Sequence, residues 1–146
     1  MRKGISPVIA TVIIVAVAIA ISIAVAGWLM GLWGGFGQTE SLKIFPDSYV
    51  NATDLVLHIQ NTGGSAAEIY KIELSGTTLV DNNAATAGVT VDGTAVTTNT
   101  IVIDPGQTVT IVVPLPTGFN TAAGVAYTVT VYTQAGNVYT GTVYGK

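Results

Sequence analysis

Residues 5–37 read ISPVIATVIIVAVAIAISIAVAGWLMGLWGGFG, and this stretch decides the fold. Isoleucine, valine, alanine, leucine and glycine dominate it, and no charged side chain occurs from Gly4 through Gln38. Such a segment does not belong to a water-facing surface. The β-branched run Val12, Ile13, Ile14, Val15 is a middling helix former in water, but the length and the absence of polar alternation argue against strands. In an apolar medium every backbone group has to be satisfied within the segment, and a helix is the single-segment solution. Ser6 before Pro7 predicts the start: the serine oxygen can cap first-turn amides, and proline at the first helical position loses no hydrogen bond. Gly34, Gly35 and Gly37 predict the stop just after Trp33, because several glycines together raise the entropic cost of continuing. From Pro7 to Trp33 the helix would rise roughly 40 Å, more than a hydrocarbon core of about 30 Å requires.

Outward from this segment the charges divide the 146 residues into two parts. Arg2 and Lys3 are the only charges before Glu40, whereas the remainder carries eight acids against Lys43, Lys71 and Lys146. The basic pair ahead of the apolar run favours a cytoplasmic N-terminus with the head across the membrane. No basic patch collects phosphates, so nucleic acid is not an expected partner. Cysteine is absent, which excludes a disulfide framework and thiolate metal sites.

Small residues recur along the apolar segment. Ala16, Ala20 and Ala24 stand four apart, and Gly27 and Gly31 continue the spacing near the end. Rows of this kind let helices approach closely and associate through van der Waals contact. Trp28 and Trp33 suit either an outer headgroup belt or the base of the head.

The opening Arg2-Lys3-Gly4-Ile5-Ser6-Pro7-Val8-Ile9-Ala10-Thr11 resembles the start of archaeal type IV pilins, whose short leaders end in a basic pair and a glycine directly before the apolar helix. The likeness covers roughly the first quarter of the chain. It implies cleavage between Gly4 and Ile5 by a prepilin peptidase, retention of the helix, and export by pilus assembly machinery. Removing two cations eases withdrawal of a subunit from the bilayer. Bacterial type IV pilins usually carry a glutamate at the fifth position after the cut, where this chain has Ile9; archaeal pilins commonly lack it. Archaeal flagellins share the helix-plus-sandwich plan and are the nearer rival.

Beyond residue 38 the pattern changes to short alternating runs separated by turn residues, as antiparallel sheets with one buried face require. Leu55, Leu57 and Ile59 are expected to face opposite Val56, His58 and Gln60. Tyr70, Ile72 and Leu74 oppose Lys71 and Glu73, and Val109, Ile111 and Val113 oppose Thr108 and Thr110. Val125, Tyr127, Val129 and Val131 oppose Thr128 and Thr130. Turns fall at Asn61-Thr62-Gly63-Gly64, Asp81-Asn82-Asn83, Asp92-Gly93, Asp104-Pro105-Gly106 and Gly136-Asn137. Asp92-Gly93 is the clearest two-residue hairpin, and Pro114 and Pro116 should end a strand or lie on an edge. At least seven strands follow. The expected class is α+β: a long N-terminal apolar helix followed by an immunoglobulin-like antiparallel β-sandwich without the cysteine pair or core tryptophan.

The residues that carry chemistry are sparse. His58 is the single histidine and reads as a surface residue. The acids are scattered, mostly at turns, and match no calcium or zinc spacing. The glycines at 34, 35 and 37 follow a helix instead of opening one, the wrong context for a phosphate cradle. No catalytic residue, cofactor or metal site is expected. Asn51-Ala52-Thr53 is an N-glycosylation sequon, plausible on an extracellular head.

The expected organisation is a basic leader over residues 1–4, an apolar helix over 5–37 and an extracellular head over 38–146. The helix would span a membrane before assembly and form the core of a homopolymeric filament afterwards. An archaeal adhesion pilus is the leading functional reading. An archaeal flagellar filament and a monomeric membrane-anchored binding domain are the alternatives.

Overall fold

In a computed structural model of the chain the described residues are 2–36 and 39–146. They form two compact units that divide between residues 38 and 39. The first is a single helix, α1 (Arg2–Phe36). The second contains β1 (Leu42–Ile44), β2 (Tyr49–Val50), β3 (Asp54–Asn61), β4 (Ala67–Leu74), β5 (Thr77–Asp81), β6 (Thr90–Val91), β7 (Thr94–Ala95), β8 (Ile101–Ile103), β9 (Thr108–Pro114), β10 (Ala126–Thr133) and β11 (Val138–Gly145). The chain is therefore α+β, with the apolar helix ahead of the strands.

The helix begins earlier than the Ser6-Pro7 pair predicts. Pro7 lies inside α1, and Ser6 is helical instead of capping. Proline lacks the N–H that would bond four residues back, and so near a terminus the loss is confined to one bond. At the other end α1 runs through Gly34 and Gly35 to Phe36, while Gly37 lies outside the described residues.

The strands follow one hydrogen-bonded path, β5-β4-β10-β11-β2-β3-β9-β6-β7, with β1 added to β3 and β8 to β4. Two separate sheets were expected; instead β2 joins them. It pairs in parallel with β11 through Tyr49 to Tyr144, and antiparallel with β3 through Tyr49 to Val56. The sheet thus closes over its own apolar face as a curled half-barrel, since no single sheet of this size can bury that face alone. Leu55, Leu57 and Ile59 of β3 meet Ile111 and Val113 of β9, Ile72 and Leu74 of β4, and Val129 and Val131 of β10 in one cluster, all shielded from solvent.

Two expected faces are corrected. Tyr70 does not share the face of Ile72 and Leu74; Ile69 does. Tyr132 pairs with Lys71 and Thr133 with Ile69, so β4 carries an extra residue, and a bulge of this kind puts two successive side chains on the same side. Val125 precedes β10 and is 46% exposed, so it is not a core residue. The Asp92-Gly93 hairpin has positive φ at both residues (50° and 81°), the type I′ geometry that suits twisted strands. Ser75-Gly76 (48° and 84°) makes a second hairpin of this kind between β4 and β5. Pro114 ends β9.

Strand directions define two ends of the head. Residues 39–41, the β3–β4 loop and the β10–β11 turn share one end, because Leu42 pairs with Asn61 and Tyr132 with Val138. The turn over residues 51–53, the loop over 115–125 and Lys146 share the other, where Leu115 N–H donates to Thr53 O and Lys146 N–H to Val50 O.

Candidate assembly surface

Every side chain described in α1, from Ser6 to Leu32, is exposed. Its most apolar 18-residue window has a mean hydropathy of 3.1, and α1 is the one described helix long and apolar enough to cross a membrane. Met30 and Ile23 on one side of the helix, and Ile14 and Trp28 on the opposite side, are each about two-thirds exposed or more. Two of its three hydroxyls turn inward: Thr11 Oγ1 donates to Pro7 O and Ser22 Oγ to Ala18 O, both at 2.7 Å. With both mid-span hydroxyls bonded to its own backbone, the span presents an apolar cylinder that is costly to leave in water, at about 25 cal/mol per Å².

Ala16, Ala20, Ala24, Gly27 and Gly31 all fall on this helix at three- and four-residue intervals, which lie on one side of an α-helix. A Cβ at Gly27 or Gly31 would meet nothing within 4 Å. Bulk there conflicts with nothing in the chain itself, so any constraint on these positions comes from a neighbouring molecule. Gly4 and Ile5 are helical in backbone, and the Ile5 side chain lies outside what is described.

On the head, Asn51 sits in the turn between β2 and β3. Its Oδ1 accepts from Thr53 N–H (2.8 Å), Asp54 N–H (2.7 Å) and Thr53 Oγ1 (3.1 Å), an Asx turn that holds the sequon at the end of the head away from residue 39.

The polar groups form local pairs. His58 is half-buried, with Nδ1 2.8 Å from Asp47 Oδ2, an ion pair when the ring is protonated. That approach does not meet the geometry of a hydrogen bond, so the contact is electrostatic. On the outer face of β4 and β10, Lys71 Nζ lies 2.8 Å from Glu73 Oε1 and 5.1 Å above the Tyr132 ring, and Tyr132 OH donates to Glu73 Oε2 at 3.1 Å. The hydrogen bond from Lys71 lowers the Glu73 pKa against the opposing effect of desolvation; the same bond raises Lys71, and the bond to Glu73 raises Tyr132. Among the described residues no group of three or more histidines or carboxylates could hold a metal ion. A groove of about 290 Å³ beside β7 and β8 is lined by threonine, valine, alanine and isoleucine and carries no ionisable group.

Neither a protein-family model nor a curated protein sequence matches the chain. Solved structures do. A chain of the archaeal flagellum of Methanospirillum hungatei strain JF1 aligns over 99% of this chain and 94% of its own length, at 17% identity and a TM-score of 0.50. In fold, the chain is similar to that flagellar chain. The archaellum periplasmic stator protein FlaG from Sulfolobus acidocaldarius aligns over 71% of this chain and 99% of its own, at 18% identity and a TM-score of 0.49. The stator complex of FlaF and FlaG from the same organism aligns over 69% and 86%, at 18% identity and a TM-score of 0.39.

Sequence reading located the apolar surface and its small residues but missed the Lys71-Glu73-Tyr132 cluster. Its signal was present only as alternation in β4; the third member arrives from β10, 59 residues away.

Proposed function

We propose that the chain is a structural subunit of an extracellular archaeal helical filament that polymerises by bundling its N-terminal helices, with no catalytic role. The observation that carries this reading is the fully exposed apolar span joined to a β head with its own closed core. A lone membrane anchor explains the span but not its excess length or its rows of small residues. In a filament, copies of the helix cover one another, and the heads form the wall. Burial of the span contributes most of the association free energy, before ordering costs are subtracted.

Of the two filament readings, the flagellar one has the wider support. The solved flagellar chain is similar in fold along nearly the whole length, whereas the likeness to adhesion pilins rests on the leader and helix, roughly the first quarter of the chain. In either case the precursor is membrane-inserted, a prepilin peptidase cuts between Gly4 and Ile5, and dedicated assembly machinery extracts the subunit. Ala16, Ala20, Ala24, Gly27 and Gly31 form the helix contacts, and Asn51 carries a glycan.

Electron microscopy of shed surface filaments, with peptide sequencing of their subunit, tests the proposal. Fibres built from this chain and beginning at Ile5 are expected. Recovery of the chain solely as lipid-held monomers would overturn it. Swimming that survives deletion, with attachment lost, would select the adhesion pilus over the flagellum.

A further inference from the structure

The first residues of the head are fastened from two sides. On one side, Thr62 N–H donates to Ser41 O at 2.7 Å and Gly64 N–H to Thr39 O at 2.9 Å. Gly63 lies against the same backbone so closely that a Cβ would stand 2.2 Å from Thr39 O and 2.6 Å from Ser41 N. On the other side, the Glu40 carboxylate accepts hydrogen bonds from Thr133 Oγ1 and, at 2.9 Å, from Asn137 Nδ2. Tyr139 OH adds a bond to the Glu40 carbonyl at 3.3 Å. Glu40 is 6% exposed. A carboxylate taken out of water is costly unless it is hydrogen-bonded, and bonds to an ionised acceptor are the stronger kind.

We propose that residues 39–41 are a strap, pinned by Glu40, which closes this end of the head and couples the β3–β4 loop to the β10–β11 turn. Thr62, Gly63 and Gly64 follow β3, on one side of β2 in the strand path, whereas β10 and β11 lie on the other side, where the far end of the loop, at β4, already pairs with β10. With the strap in place, a pull at Thr39 is shared between the two halves of the curled sheet. Without it, the pull falls on β1, whose ladder with β3 has only three residue pairs. Glu40 is thus a positioning residue that acts through the two loops. The loops it engages are also not free to serve as recognition loops. The inference concerns the head alone and stands whether or not the chain polymerises.

Residue-resolved hydrogen exchange of the full chain in detergent micelles tests the strap, with the Thr62 and Gly64 amides as reporters. Slow exchange is expected at both. Glu40→Ala should accelerate them about tenfold or more while Leu57 and Ile111 stay protected, as local opening requires. Glu40→Gln keeps an acceptor oxygen and should restore most of the protection. Thr133→Val, which removes one donor with little change of shape, should give an intermediate acceleration and carries the test should Glu40→Ala fail to fold. Fast exchange at Thr62 and Gly64 in the unmodified chain overturns the proposal. So do unchanged rates in both variants, or acceleration of every core amide together.

Discussion

Asn61 is bonded to Ile103 across 42 residues of sequence: its Nδ2 donates to the Ile103 carbonyl at 2.9 Å and also to Ser65 O at 2.7 Å. Its Oδ1 accepts from Gly63 N–H at 3.0 Å, so one fully buried amide serves the end of β3, the following loop and β8. Asn61→Ala leaves these groups without partners and should cost about 3 kcal/mol or more, at about 1–3 kcal/mol for each unsatisfied group. Asn61→Asp should be worse at neutral pH, because it points a carboxylate at two carbonyl oxygens. Thermal unfolding of the β signal checks both; an unshifted midpoint for either would remove Asn61 from this role.

Gly145 and Gly141 lie on the same strand but should respond differently. A Cβ at Gly145 would stand 1.8 Å from the Ala122 carbonyl oxygen, a backbone atom, whereas one at Gly141 would meet only the side chain of Ile44 at 3.0–3.2 Å. Gly145→Ala is therefore expected to break the bond from Gly124 N–H to Gly145 O and to lower stability by roughly 2 kcal/mol or more, in the range of overpacked sites. Gly141→Ala should cost about 1 kcal/mol or less, since Ile44 can shift. Denaturant midpoints rank the two variants, and equal losses would contradict the distinction.

Gly27→Leu and Ala20→Leu should separate assembly from folding. Nothing within the chain opposes bulk at Gly27, so the head should melt as before. Helix-to-helix contacts depend on small residues, and a loss of about 1.4 kcal/mol per contact corresponds to a tenfold weaker association. Filament yield is the measurement. Wild-type yield and stability from both variants would discard this packing register.

The Lys71–Glu73 pair makes opposite predictions at the two ends of the pH scale. The fold lowers the Glu73 pKa, so its contribution is present above the range of an unfolded glutamate and fades as pH falls through the folded value. Lys71 and Tyr132 are raised, so theirs is present below their unfolded values and lost as pH rises through the folded ones. Carboxyl NMR titration should place the Glu73 midpoint below that of a free glutamate. Lys71→Met should move it upward; an unmoved midpoint would show that the lysine is not the cause.

Asn51 should carry a glycan in protein taken from its native cell surface. Peptide mass spectrometry of the segment containing Asn51 is expected to show the added sugar, Thr53→Ala to abolish it, and Thr53→Ser to retain it. An unmodified peptide at full occupancy would refute the assignment.

Much of the fold was legible in the sequence where one local rule dominated. Period two placed Leu55, Leu57 and Ile59 on the buried face, and the Asp92-Gly93 pair predicted its hairpin from the φ angles that glycine and aspartate tolerate. Ser75-Gly76 carried a comparable signal that went unread. Tyr70 was misplaced because a bulge is a property of pairing with β10, not of β4 alone.

The sequence by itself determined that a long apolar helix precedes a β-rich head, since hydropathy and alternation are local and survive in any tertiary setting. It also determined where small residues fall along the helix. Only the tertiary structure decided that β2 joins both halves of the sheet and that Glu40 is buried among Thr133, Asn137 and Tyr139, more than 90 residues away. These relationships depend on strand order and register, which arise from packing between distant segments and leave no periodic trace along the chain.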